Sequence, residues 1–438
     1  MNACHRFAPF AVVLVLAAPR AAPADRNVTL EEAYALAVRN NPTMAMLRER
    51  VVQAEAAHYR AWSALKPNAT FQGTFTHYDQ EILVDFSMLM PGTPPMVLQK
   101  QNQFGMVGVA NLPLFRGAAY PRLDLAKKGV EAARLREVRS RQDFLLRVAQ
   151  VYYGVASRKD VVKALEVKLE VDRKNLAAAR SRFEVGQSPR SEVLRADLVV
   201  TQDEQNLLTQ RNGLDAARRQ LGILIGVPGA VDAARPAEPA DPSRSDEEMV
   251  AAALGRRADL KAADLALVIA RQSRKAVWWS FLPSLDAAFL WRWTEAAGFA
   301  GERNSWNLTF TLTVPLYDGG LRYADLRDAS SRIIEARAQK AALDLEVRSE
   351  IVRLRSDLQS ATAGLVSARK AVALARTTAA DMEASFEVGA VTQLDVLDAN
   401  QRLLDAELQL TTMLFTRDLA RLALAHAQGQ FDPVRGAR

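Results

Sequence analysis

Cysteine is all but missing: the 438-residue chain has one, Cys4, inside a segment expected to be removed, so no disulfide, thiol nucleophile or cysteine-based metal site is expected. Histidine is nearly as scarce. Beyond residue 24 only His58, His77 and His426 remain, dispersed without ligand spacing, and no phosphate-binding loop of the Walker type is present. Little is left on which catalysis could stand, so no catalytic residue, cofactor or metal is expected. Aromatic residues are only 7% of the chain, with 21 glycines and 18 prolines, which argues against an all-β fold and for a mainly helical one. Charge of one sign is not concentrated anywhere. The 57 Lys and Arg interleave with 50 Asp and Glu, giving +7 overall, and no basic block points to nucleic acid. Past residue 24 no apolar run approaches the roughly 20 residues of a membrane-spanning helix. If the chain enters a membrane, it does so as β-strands.

What is present begins with Arg6, an apolar run from Phe7 to Ala18 and the small-residue site Ala22-Pro23-Ala24, the pattern of a secretory signal peptide over 1–24. Removing Arg6 and Arg20 leaves a charge of +5 by subtraction from +7. Cys4 lies too early to carry a lipid after such a cleavage.

The remainder repeats. Phe183-Glu184-Val185-Gly186 recurs as Phe386-Glu387-Val388-Gly389, 203 residues on, and Pro113-Leu114-Phe115-Arg116-Gly117 as Pro315-Leu316-Tyr317-Asp318-Gly319, 202 residues on. Glu31-Glu32, opening a helical run to Pro67, resembles Glu247-Glu248, opening one to Pro283, at an offset of 216. The difference between 216 and 202 puts 14 extra residues into one hairpin loop, which holds Met88, Met90, Pro91, Gly92, Pro94 and Pro95. Each unit reads as helix, strand, strand, long helix, turn, helix. The expected division is a first repeat at 25–226 with its β-hairpin near 67–115, an equatorial linker at 227–245, a second repeat at 246–429 with its hairpin near 283–315, and a tail at 430–438.

The second unit carries the clearer strands. Leu285, Ala287, Phe289, Trp291 and Trp293 alternate with Asp286, Ala288, Leu290 and Arg292; Trp306, Leu308, Phe310, Leu312 and Val314 alternate with Asn307, Thr309, Thr311 and Thr313. Such period-two runs suit tilted transmembrane strands of about 9–11 residues. In the first unit Phe71 and Phe75 mark one strand and Val107 and Val109 the other. Surface hairpins of a soluble sheet are the plainer reading. Four strands cannot close a barrel, and an open edge in lipid leaves backbone groups unsatisfied, so a membrane reading demands several copies.

Long helices follow the hairpins. Val347, Ile351, Leu354, Leu358, Ala361, Leu365, Ala368, Val372 and Ala375 step by fours and threes, the seam of a coiled coil. Leu165, Leu169, Asp172, Leu176, Ala179 and Phe183 repeat the stepping with one polar interruption. A continuous helix from 119 to 184 would be ~100 Å long, and helices at 29–65 and 190–226, at ~55 Å each, could stack end to end beside it. Ser188-Pro189 reads as an N-cap followed by the first helical residue.

Together, the duplicated order, the two Val-Gly turns and the stretch from Val388-Gly389-Ala390-Val391-Thr392 through Gln393-Leu394-Asp395-Val396-Leu397-Asp398-Ala399 resemble the TolC-type outer-membrane efflux proteins, the outer membrane factors of tripartite efflux and type I secretion systems. The resemblance covers essentially the whole mature chain. It implies a homotrimer in the cell outer membrane, with a twelve-stranded β-barrel continuing into a long periplasmic α-helical coiled-coil tunnel, whose tip meets a periplasmic adaptor (membrane fusion protein) and an inner-membrane pump. It implies a passive exit duct that catalyses nothing.

Asp395 and Asp398, at i and i+3, share a helix face near the turn, and copies from several chains would make rings of negative charge that select cations; the resemblance places both at the tunnel entrance. A capping pair of Thr392 with Asp395 is the plainer alternative. Glu192 stands where relatives often hold an acid that helps lock the closed tip, but its usual tyrosine and arginine partners are replaced here by Phe386 and Val391, leaving Arg190 or Arg195 to form other pairs. Gly186 and Gly389 are explained by chain reversal alone; a role for Val185, Gly186, Val388, Gly389 and Thr392 in contacting the adaptor comes from the resemblance. Trp278, Trp279, Trp291, Trp293 and Trp306 are candidate membrane-interface anchors, with junction packing as the alternative for the first two. The rival reading is a periplasmic coiled-coil adaptor or scaffold, which leaves the duplicated amphipathic hairpins unexplained. The cargo is not written in the sequence, and the methionines at 88, 90 and 96 are more simply incidental than a copper site.

Overall fold

The computed structural model describes residues 26–85, 91–92, 95–236, 245–295 and 302–431. The leader, Met88, Met90 and residues 237–244 of the expected linker lie outside them. The chain runs β1 (Arg26–Val28), α1 (Leu30–Asn40), α2 (Pro42–Ser63), β2 (Asn68–His77), β3 (Ile82–Val84), β4 (Met96–Gln99), β5 (Asn102–Arg116), α3 (Ala119–Glu184), α4 (Arg190–Ile225), β6 (Val231–Ala233), α5 (Asp246–Arg256), α6 (Ala258–Trp279), β7 (Ser284–Thr294), β8 (Asn304–Thr313), α7 (Leu321–Glu387) and α8 (Gln393–Ala427).

α3 and α7, at 66 and 67 residues, are each ~100 Å long at 1.5 Å per residue. Length is sustained by the seam: Val347, Ile351, Leu354, Leu358, Ala361, Leu365, Ala368 and Val372 are all buried, as are Leu165, Leu169, Asp172, Leu176 and Ala179. Truncating one such leucine would cost about 2–5 kcal/mol. Among the described residues no helix is long and apolar enough to cross a membrane.

The helix expected at 29–65 and the helical run expected from Glu247-Glu248 to Pro283 are each broken. Pro42 lacks an amide hydrogen and starts a new helix at its first position, with Asn41 accepting from Thr43 N at 2.8 Å as the cap. In the second repeat the break falls at Arg257, where no proline forces it. Both breaks receive the end of a returning helix: Asn41 Nδ2 donates to the Leu224 carbonyl at 2.8 Å, and Arg257 donates to the Ala427 carbonyl at 3.2 Å. These satisfy carbonyls that helix ends leave orphaned. Equivalent capping boxes open the two repeats, Thr29 with Glu32 and Ser245 with Glu248.

Residues 227–245 do not form a plain linker throughout. Val231–Ala233 are buried as β6, paired in parallel with β1, and the Tyr152 hydroxyl lies 2.9 Å from the Val28 carbonyl and 2.8 Å from that of Ala234. Buried Asp232 is held by Lys159 at 2.6 Å and by Arg218. The extra residues of the first hairpin form a short antiparallel extension, β3 with β4.

Four strands make one antiparallel sheet in the order β2-β5-β7-β8. Register aligns Phe71, Gly108, Trp291 and Trp306 in one row and Gln72, Val107, Arg292 and Ser305 in the next. Because strand side chains alternate faces, one face carries Phe71, Phe75, Phe289, Trp291, Leu308 and Phe310, and the other Gln72, Asn111, Asp286, Arg292 and Thr309. Val107 and Val109, expected to mark the second strand of this hairpin, do lie in β5, on its polar face. Their neighbour Gly108 occupies the apolar face, where the Trp291 ring fills the space of the missing side chain and stacks at 6.4 Å on Phe71. Both outer edges, β2 and β8, have no strand beside them among the described residues.

Candidate functional site: the helical tip and the aromatic belts

At the far end of the long helices the two repeats turn in the same way. Gly186 and Gly389 both have φ of 76°, a conformation that side chains resist. Gln187 N donates to the Arg182 carbonyl at 2.8 Å and Gly186 N to that of Phe183 at 3.0 Å; Ala390 N donates to Ser385 and Gly389 N to Phe386 at 2.9 and 3.0 Å. This paired bonding closes a helix C-terminus. Val185 and Val388 are left exposed beside the glycines.

Beyond the turns the repeats differ. Thr392 caps α8 in a complete capping box: its hydroxyl accepts from Asp395 N, and the Asp395 carboxylate accepts from Thr392 N at 2.8 Å and from its hydroxyl at 2.6 Å. Those bonds hold the Asp395 carboxyl below the usual carboxylate range. Asp398, one turn on, pairs with Arg402 at 2.9 Å. In the first repeat the expected cap Ser188 falls one position early. Pro189 occupies the cap and offers no side-chain bond, and the buried Ser188 hydroxyl finds no partner among the described residues. Glu192 sits in the first turn of α4 at the position matching Asp395.

Arg190 and Arg195 make no ion pair among the described residues. Instead the Arg182 guanidinium lies over the Phe386 ring, 4.2 Å from its centroid. This cation–π contact ties the end of α3 to the end of α7, at the place where the resemblance implied a tyrosine lock. Sequence reading passed over Arg182 because nothing in its spacing distinguishes it from other helix-end arginines.

The tryptophans fall at two levels of the sheet. Trp278, exposed, meets Phe281 at 6.1 Å, and Phe281 meets Tyr323 at 5.5 Å; Trp279 meets Tyr120 at 6.3 Å, all where helices become strands. Trp291, Trp293 and Trp306 lie toward the opposite end, with Trp306 against Phe289 and Trp293 against Phe104. Cations accompany the first belt: Lys66 sits over Trp62, Lys275 over Trp279 and Arg322 over Phe281. Among the described residues no cluster of His, Cys, Asp or Glu has the grouping of a metal site.

An amphipathic sheet flanked by aromatic belts, joined to two long helices of ~100 Å each, defines a class of outer-membrane exit ducts. The chain belongs to the outer membrane efflux protein family, whose pattern matches residues 33–227 and 249–430. It is 27% identical over 328 residues to the outer membrane protein TolC of Vibrio cholerae, covering 72% of this chain and 74% of that one. It is 26% identical over 297 residues to the outer membrane efflux protein BepC of Brucella suis, covering 66% and 64%. Among solved structures, the outer membrane protein VceC of Vibrio cholerae superimposes with a TM-score of 0.73 at 20% identity, covering 91% of this chain and 96% of that one. The chain is an outer-membrane efflux or secretion channel; the comparisons give the adaptor or scaffold reading no support.

Proposed function

We propose that three copies join β8 of one chain to β2 of the next, closing a twelve-stranded barrel in the outer membrane over a continuous helical tunnel in the periplasm. The observation that carries this reading is the sheet itself. Its apolar face runs unbroken across four strands, its other face is polar, and both edges offer unpaired backbone groups that lipid cannot satisfy. Closure by identical copies satisfies the edges and puts the polar face around water. The two aromatic belts then sit at the two membrane interfaces.

In such a trimer Asp395, Asp398 and Glu192 would ring the tunnel entrance. Asp395 stays ionised through its bonds to Thr392, while the Asp398 charge is offset by Arg402, so Asp395 contributes more of the cation preference. Arg182 on Phe386 holds the two turns together in the closed tip. The exposed Val185-Gly186 and Val388-Gly389 turns present the surface on which a periplasmic adaptor, itself bound to an inner-membrane pump, would seat. The duct is passive: energy and cargo choice come from the pump.

Planar-bilayer recording tests this directly. Wild-type trimers should form cation-selective pores; Asp395→Ala should lose most of that selectivity and Asp398→Ala less. An unchanged reversal potential in Asp395→Ala would remove the ring assignment, and absence of pores in wild type would remove the channel reading.

A further inference from the structure

The first helical hairpin contains a buried charge cluster that the second lacks. Lys168 on α3 donates to Asp172, one turn on, at 2.6 Å, and also to Asp203 on α4. Lys168 and Asp172 are 8% and 2% exposed, and they interrupt a seam that is otherwise Leu165, Leu169, Leu176 and Ala179. The corresponding positions of the second hairpin, 203 residues on, are Ala371, Ala375 and Ala406. Three charged groups in one hairpin thus correspond to three methyl groups in the other.

One ammonium between two carboxylates leaves the cluster with a net charge of −1. Buried net charge is costly, and two carboxylates sharing a site favour uptake of one proton. Among the described residues no second cation pairs with Asp172 or Asp203. On the two helices of the hairpin Glu166 pairs with Arg211, Glu170 with Lys174, and Arg173 with Glu204. On α8, which also packs against α3, Asp398 is engaged by Arg402, Asp405 by Gln401 and Glu407 by Arg376. We infer that Lys168, Asp172 and Asp203 form a proton-responsive ionic layer that tightens the first helical hairpin in mild acid while the second remains indifferent.

The proton is taken from solvent by Asp172, the more buried carboxylate. Its new O–H donates to the Asp203 carboxylate, Lys168 keeps its charge, and the cluster becomes neutral. Burial, reinforced by the hydrogen bond with Asp203, pushes the Asp172 carboxyl up to about 6 against the pull of Lys168. A carboxyl raised on folding binds its proton more tightly in the folded hairpin, so stability rises as pH falls through that value and is lost as pH rises above it.

The test is amide hydrogen exchange on the full-length protein in detergent, comparing residues 160–210 with 363–413 at pH 7.5 and 5.5 after correction for intrinsic exchange rates. From a pKa of about 6 in the fold and an ordinary carboxylate value near 3.9 when open, acidification should slow exchange of the first segment by about fourfold. The second should not change. Asp172→Asn should abolish the difference between the segments. Equal responses of the two segments in wild type would overturn the inference even if the variant failed to fold, and a response retained by a folded Asp172→Asn would overturn it as well.

Discussion

The two repeats are built to one plan and fastened differently at corresponding points. At the helix break, Asn41 in the first repeat and Arg257 in the second each bond a carbonyl of the helix returning from the tip. Asn41 does so as a neutral cap. Arg257, 4% exposed, is also clasped by Asp259 at 2.7 Å and Glu350 at 2.6 Å. At the far end the order reverses: the second repeat has the complete cap at Thr392, while the first makes do with Pro189. Duplication has preserved where the chain must break and turn, and left open which chemistry satisfies the backbone there.

The largest effect expected from breaking this pairing is at Arg257. Arg257→Ala leaves Asp259 and Glu350 without their buried partner and should cost about 3–5 kcal/mol. Asn41→Ala should cost about 1 kcal/mol. Thermal unfolding of the helical circular dichroism signal in detergent measures both. Next come the glycines at the same joints. A Cβ on Gly226 would lie 2.7 Å from Asn40, at a φ of +68°, so Gly226→Ala should cost about 2–3 kcal/mol. On Gly429 the nearest backbone is 3.2 Å away, and the same change should cost about 1–2 kcal/mol. The smallest contrast is at the caps: Thr392→Ala should lose about 1 kcal/mol, read as faster amide exchange at the start of α8. Ser188→Ala, which removes an unpartnered hydroxyl, should lose nothing.

Acid should sharpen the comparison from another direction. Asp143 on α3 is held below the usual carboxylate range: burial opposes its charge, but the hydrogen bond with His426 and the charge of Arg139 outweigh it. Its contribution is present above the ordinary carboxylate value and lost as pH falls through its lowered one. Asp172 runs the other way. The joint between α3 and α8 should therefore loosen only in strong acid, while the first hairpin gains in mild acid.

Much of this architecture was legible in the sequence where one periodicity ran unopposed. The long helix expected at 119–184 is α3, Ala119–Glu184, because its seam is regular and proline-free after Pro121. The strands of the second unit declared themselves because all their aromatic and most of their apolar residues face one way, with Leu290 the large exception. Legibility failed where a side chain's role is supplied by its neighbour. Val107 and Val109 marked β5 but not its apolar face, which at Gly108 between them is completed by Trp291 from the adjacent strand. The break at Arg257 carries no proline, and beyond the nearby Asp259 the partners that hold this arginine, Glu350 and the Ala427 carbonyl, lie 93 and 170 residues away. At the tip, the box of Thr392 with Asp395 was readable as a local pattern. The pairing of Arg182 with Phe386, 204 residues further along the chain, was not.

Joining of chains edge to edge is the claim that decides most. The single cysteine of the sequence is Cys4, in the segment expected to be removed as a signal peptide, and with it replaced by serine a cysteine in place of Gln72 on β2 can be combined with one in place of Ser305, Asn307, Thr309 or Thr311 on β8 without background thiols. After oxidation in cell envelopes, at least one pair should yield a covalently closed species of three chains that reduction returns to one. If every pair leaves single chains, and the purified protein is monomeric in detergent, the closed barrel is contradicted.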